Sequence, residues 1–246
     1  VLDTKPDSSP PLASLSVNRL RSGYGRVKIL DEISFDLAPG EIVGILGRNG
    51  AGKTTLLKSV MGIVRPWEGH VTLSGVTSLD GLSSHDIAKA GIGYVPQGRG
   101  IFPALTVLEN LRVTQYAQNK TNERVAEIIE LFPALKPHLG SRGGGLSGGQ
   151  QQILALARAL VGEPKVLLLD EPSEGIQPSI LDTIVDILST LMAGRTLAVL
   201  LVEQNLDFAA ELASRAYLMD MGRIVQSLEH SELDANRLAR DLMLAS

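Results

Sequence analysis

The chain has no cysteine, which excludes disulfide bonds, thiolate metal sites and thiol nucleophiles. It has no run of five or more basic residues, and its formal net charge is −4, so a nucleic-acid footprint is not expected. It also lacks any stretch near the roughly 18 apolar residues that a membrane-spanning helix needs. The longest apolar runs, such as Leu197 to Val202, have the length of strands. The N-terminus, VLDTKPDSSPPLAS, shows neither the basic start nor the apolar core of a signal peptide. Its polar, proline-rich character makes residues 1–13 an expected flexible tail. The four histidines, at positions 70, 85, 138 and 230, form no metal-ligand spacing, and no repeat recurs at periods of about 20–50 residues.

What remains is ordinary globular material. With 246 residues, 44% hydrophobic and 20% charged, the chain can form one large α/β domain or two small ones. Alternating apolar residues over Leu15–Leu20 and Val27–Leu37 predict strands of a half-exposed sheet. Pro39-Gly40 marks a turn, and Glu41–Leu46 predicts a short buried strand. A helix is expected over Lys53–Gly62, with Gly62 as its stop, then a strand over Gly69–Leu73. Ser83 caps a predicted helix to Lys89, and Gly93–Val95 reads as a strand before Pro96-Gln97. Thr106–Phe132 is rich in helix formers, with a break near Asn119–Asn122. Residues 98–162 therefore read as a helical subdomain set into an α/β core of about 14–97 and 163–246. From Val166 the pattern alternates strand and helix, which predicts a mostly parallel sheet: Val166–Asp170, Ile180–Met192, Thr196–Val202, Leu206–Ala213 and Ala216–Met219. Ile224–Leu228 and Arg237–Leu244 close the chain as a strand and an amphipathic helix.

Two glycine-rich helix starts stand about a hundred residues apart. Unpaired N–H groups and the helix dipole converge at such a start, which makes it an anion site. The first, Gly47-Arg48-Asn49-Gly50-Ala51-Gly52-Lys53-Thr54, fits G-x-x-x-x-G-K-S/T in full between a predicted strand and a predicted helix. Gly47, Asn49, Gly50, Ala51, Gly52, Lys53, Thr54 and Thr55 are its expected phosphate contacts. Lys53 reaches β/γ oxygens as a point charge, and the Thr54 hydroxyl ligates Mg²⁺. The second start is Leu146-Ser147-Gly148-Gly149-Gln150.

Val166-Leu167-Leu168-Leu169-Asp170-Glu171 places two acids at the carboxyl end of a buried strand, where open α/β sheets bind ligands. Asp170 is expected in the Mg²⁺ shell and Glu171 as the general base for an attacking water. Gln97, read alone after Pro96, is a turn residue. Its amide can also ligate Mg²⁺, and its spacing from the other motifs is what favours that role.

In this order and spacing, GRNGAGKTT, YVPQ, LSGGQ and LLLDEP resemble the nucleotide-binding subunit of an ABC transporter, over about Leu15 to Leu228. The resemblance implies a P-loop NTPase core, an N-terminal antiparallel β subdomain and an inserted helical subdomain, with ATP and Mg²⁺ bound. It implies that Tyr24 stacks on adenine and that Gln97 couples the Mg²⁺ site to membrane subunits. It also implies a head-to-tail dimer in which Ser147, Gly149 and Gln150 meet the ATP held by a second subunit. Gln204 stands where the pattern usually has His, and Gln177 where an interface Asp is usual. Gln204 is therefore the expected phosphate sensor, with Glu171 kept as base.

VEQN, EPSEGIQPSI and GYVPQGRGIFPALTVLENL are similar to ATPases of the hydrophobic amino acid and amide uptake systems. Urea or short-chain amide importers come first in that comparison and branched-chain amino acid importers second. Such a system implies a second, different ATPase subunit, two transmembrane permeases and an external solute-binding protein. This chain would then lie at the cytoplasmic face of the inner membrane without touching the solute. The rivals are a poorly hydrolysing regulatory subunit, favoured by the missing His, and a soluble ABC protein of repair or translation. Ile101-Phe102-Pro103 would lie near the groove that receives a permease helix.

Overall fold

The structure is a computed structural model and describes residues 14–233. The expected tail over residues 1–13 and the expected helix Arg237–Leu244 lie outside the described residues. Strands β1 (Leu15–Tyr24) and β2 (Val27–Leu37) form an antiparallel hairpin, and β3 (Ile42–Leu46) runs into the first glycine loop and α1 (Lys53–Val60). After these come β4 (Glu68–Leu73), β5 (Thr77–Ser78), α2 (Ser84–Ala90) and β6 (Ile92–Val95). Helices α3 (Val107–Ala117), α4 (Asn122–Leu131) and α5 (Gly148–Val161) follow, with two short 3-10 turns between α4 and α5. The rest alternates: β7 (Val166–Asp170), α6 (Pro178–Ala193), β8 (Ala198–Glu203), α7 (Leu206–Leu212), β9 (Arg215–Asp220), β10 (Arg223–Glu229).

A four-stranded antiparallel sheet, ordered β2-β1-β4-β5, stands beside a six-stranded sheet, ordered β10-β9-β3-β8-β7-β6. In the larger sheet β9, β3, β8, β7 and β6 are parallel, and only β10 runs against its neighbour. The expected mostly parallel α/β fold with an antiparallel N-terminal sheet is therefore present.

The residues of β7 and β8 are buried on both faces, which is why they read as unbroken apolar runs. Their period-2 alternation divides the core. Leu167, Leu169, Val199 and Leu201 pack with α5 and α6 through Ile153, Leu154, Ile184 and Leu188. Val166, Leu168, Ala198, Leu200 and Val202 pack on the opposite face with Leu56 and Leu57 of α1 and with Leu20, Leu30 and Ile33 of the antiparallel sheet. Each buried Leu or Ile contributes about 1.5–3 kcal/mol, so this two-sided burial fixes the strands that carry the site.

Two expectations change. β1 runs on to Tyr24, past Leu20, because bulges near Arg19 and Ser22 break the alternation without ending the pairing to β2. β5, only two residues long, adds an edge strand that no periodicity could announce. Among the described residues, no helix is long and apolar enough to cross a membrane.

Candidate phosphate-binding site

Parallel pairing brings the carboxyl ends of β3, β6, β7 and β8 to one edge of the sheet, and the chain delivers Gly47, Gln97, Asp170 and Gln204 there. Gly47 leaves β3 where a Cβ would come within 2.3 Å of the Met219 carbonyl oxygen. Gly50 holds φ at 84° and Gly52 at 106°, left-handed values that suit glycine. α1 has no side-chain N-cap, whereas α2, α3, α4 and α5 are each capped by a Ser or Thr hydroxyl. Its first-turn N–H groups thus suit an external acceptor.

Lys53 Nζ donates to the carbonyl oxygens of Gly47 at 2.8 Å and Arg48 at 3.1 Å, and lies 3.1 Å from Glu171 Oε1. Both side chains of this ion pair are nearly buried. Glu171 itself holds a left-handed φ of 48°, a conformation that costs a non-glycine residue about 1–2 kcal/mol. Its N–H donates to Val202 O at 2.9 Å, which pins it to the neighbouring strand. Gln97 Nε2 donates to Glu171 Oε2 at 3.2 Å and to Glu174 Oε2 at 3.1 Å.

Asp170 is almost wholly buried beneath this layer. Thr54 Oγ1 donates to one of its oxygens at 2.9 Å and Tyr94 Oη to the other at 3.1 Å. Burial pushes the Asp170 carboxyl up from its ordinary pKa, against those two donors. Tyr94 is also raised, first by burial and then by the charge of Asp170, so its hydroxyl remains a donor.

Asn49, Gly50, Gly52, Lys53, Thr54, Thr55, Gln97 and Glu171 line a cavity of about 280 Å³. Ala51 is buried just behind the loop. Gln204 is exposed and lines an adjoining cavity of about 310 Å³ with Glu171, Ser173, Glu174, Glu203 and Asn205. Tyr24 is about half exposed at the tip of the β1–β2 hairpin and does not line the phosphate cavity. Ser147, Gly149 and Gln150 line neither cavity. Ser147 caps α5 through a reciprocal box with Gln150, whose Nε2 also meets His138 at 3.0 Å.

The donor set fits Mg²⁺ bound together with a nucleotide. The glycine cradle, the uncapped helix start and Lys53 suit phosphates. Among the described residues, no group of three or more His, Cys, Asp or Glu could hold a metal alone. That fits Mg²⁺, which takes one or two protein oxygens and completes its shell with phosphates and water.

A family model described as "ABC transporter" matches residues 30–174. The chain belongs to this family. It is an ABC-type ATPase coupled to transport, and its nucleotide is ATP with Mg²⁺. It is 41% identical over 232 residues to the high-affinity branched-chain amino acid transport ATP-binding protein BraG of Pseudomonas aeruginosa, covering 94% of this chain and 99% of that one. It is 37% identical to the probable branched-chain amino acid transport ATP-binding protein LivF of Archaeoglobus fulgidus, covering 88% and 94%. Among solved structures, a nucleotide-free ATP-binding cassette from an ABC transporter superposes with a TM-score of 0.81 at 25% identity, covering 92% and 95%.

Sequence reasoning passed over three polar groups of this ABC ATPase. Tyr94 and Glu174 gave no signal, since a strand tyrosine and a loop acid are commonplace. Glu203 did: it ends the run Leu200-Leu201-Val202 as Asp170 ends Leu167-Leu168-Leu169.

Proposed function

We propose that this ABC ATPase powers an importer and that Lys53 and Glu171 carry its hydrolytic chemistry. The observation behind this reading is their nearly buried ion pair at 3.1 Å. Glu171 accepts the proton of the water that attacks the γ-phosphorus, and Lys53 offsets charge on the phosphate oxygens. A triphosphate competes with Glu171 for Lys53, so binding substrate releases the base. Thr54, Asp170 and Gln97 hold Mg²⁺, which supplies neutralising charge to the phosphates. Gln97 brings its nitrogen rather than its oxygen to Glu171, which would leave Oε1 to serve the metal. Tyr24 supplies an aromatic face for adenine. Gln204 donates a side-chain N–H to a γ-phosphate oxygen but cannot take up a proton as His would. Ser147, Gly149 and Gln150 serve the ATP of a second subunit packed head to tail, and their position outside both cavities supports this. Residues about 98–162 act as the helical subdomain between the two halves of the core.

Glu171→Gln in the full chain is expected to keep ATP affinity and to lower turnover by about 100-fold or more. Turnover that survives Glu171→Gln but disappears in Gln204→Ala would transfer the role of base.

For the solute, the relatives favour branched-chain amino acids over urea or short-chain amides, reversing the order read from sequence. The same reading gives the chain a different ATPase partner, two permeases and an external binding protein, at the cytoplasmic face of the inner membrane. Cells lacking the chain should lose uptake of labelled leucine and regain it with wild type but not Glu171→Gln. Loss of urea uptake alone would restore the other order. The Gln204 substitution favours one second reading, a regulatory subunit that hydrolyses poorly. Hydrolysis by the chain alone and mixed with its partner ATPase separates the two.

A further inference from the structure

Glu203 closes β8 and is 1% exposed, yet its partners among the described residues are all neutral donors. Ser173 N–H donates to Oε1 at 2.9 Å. Ser173 Oγ at 3.0 Å, Gln204 N–H at 3.0 Å and Asn205 N–H at 3.1 Å donate to Oε2. Burying a carboxylate costs several kcal/mol unless such donors offset it. These donors come from only two segments: one begins two residues after Glu171, and the other contains Gln204. The β7–β8 ladder ends where they start. Asp170 pairs with Val202, Glu171 N–H makes one more bond to Val202 O, and Glu171 then turns left-handed. Beyond that point the register has no further pair, the two segments line one cavity with Glu171 and Gln204, and the Glu203 carboxylate bonds to both.

We propose that Glu203 is a positioning residue that holds Gln204 at a fixed separation from Glu171 by clasping Ser173, Gln204 and Asn205. The clasp needs an acceptor on both oxygens. Gln in its place keeps the volume but turns an NH₂ toward N–H donors. Asp keeps the charge but is one methylene short of both segments. The inference rests on the reading that Gln204 meets the γ-phosphate.

The test is steady-state hydrolysis of Mg·ATP by the full chain and by Glu203→Gln, Glu203→Asp, Gln204→Ala and the double variant Glu203→Gln/Gln204→Ala, each with its thermal unfolding. Glu203→Gln should lower kcat by about 10-fold, leave KM for ATP within about 3-fold, and be partly rescued in Glu203→Asp. The double variant should match Gln204→Ala alone, because residues acting through one another are non-additive. Multiplicative losses, or a loss that only follows the unfolded fraction, would overturn the proposal. So would an unchanged kcat in Glu203→Gln while Gln204→Ala is impaired. An unaffected Gln204→Ala defeats the underlying reading of Gln204 and the clasp with it. Should Glu203→Gln not fold, Ser173→Ala removes a single donor, and kcat should fall about 2–5-fold; no fall overturns the clasp.

Discussion

Gly47 and Gly50 lie in one loop and are glycine for different reasons. At Gly47 the backbone φ is ordinary, but a Cβ would overlap the Met219 carbonyl oxygen at 2.3 Å and press on Ala51 Cβ at 3.3 Å. Only movement of the loop or of β9 could relieve that. Around Gly50, among the described residues and apart from its two chain neighbours, nothing lies within 4 Å of a Cβ, but φ is 84° and the residue lines the phosphate cavity. Gly47→Ala should therefore appear chiefly as a lower unfolding temperature. Gly50→Ala should cost about 1–2 kcal/mol of backbone strain and weaken binding of a non-hydrolysable ATP analogue by at least about 10-fold. Parallel melting curves and analogue titrations read both, and equal effects on both measurements would refute the distinction. At this scale the loop was legible because its chemistry demands contiguous residue types. The Tyr94–Asp170 and Glu203–Ser173 bonds were not, because they join residues 76 and 30 positions apart that only strand pairing brings together.

Among the elements, α5 is capped at its first turn by its own residues. Ser147 accepts the N–H of Gln150, and Gln150 returns a bond to the Ser147 N–H, so these two donors of the helix start are satisfied within the chain. α2 begins on Ser83, whose hydroxyl accepts the N–H of Asp86 in the same way. Replacing either serine with Ala should cost about 1 kcal/mol, or about 2–4 °C in a domain of this size. If Ser147 also meets another subunit's nucleotide, only Ser147→Ala should reduce hydrolysis beyond that shared loss of stability. Equal ATPase rates in the two variants would leave Ser147 a cap and nothing more. The cap at Ser83, the helix start at Ser147, the strand Val166–Asp170 and the break between α3 and α4 were readable because each is set by neighbouring residues. The end of β1 was not, because it depends on register with β2 across bulges that local pattern cannot encode.

At the scale of the molecule, the helices between β6 and β7 leave an apolar groove of about 340 Å³ against the core, framed by Ile92, Phe102, Val113 and Ala159. Phe102 is 43% exposed there, with the Arg158 guanidinium 5.1 Å above its ring centroid. Burial lowers the Arg158 pKa from its ordinary high value, and the contact holds the ring at the rim. An amphipathic helix laid in such a groove gains most from one exposed aromatic anchor. On the proposed function its occupant is a permease helix. The segment Gln97–Phe102 joins the groove to the nucleotide site, since Gln97 lines the phosphate cavity while Gly100 and Phe102 line the groove. Phe102→Asp should therefore leave ATP hydrolysis by the chain in solution within about 2-fold, because the ring touches neither cavity of the site. In the assembled transporter the same change should release the chain from its permeases and abolish ATP-driven uptake. Co-purification and uptake measured on one set of membranes check this. Retained assembly with normal uptake would show that the groove docks nothing through Phe102.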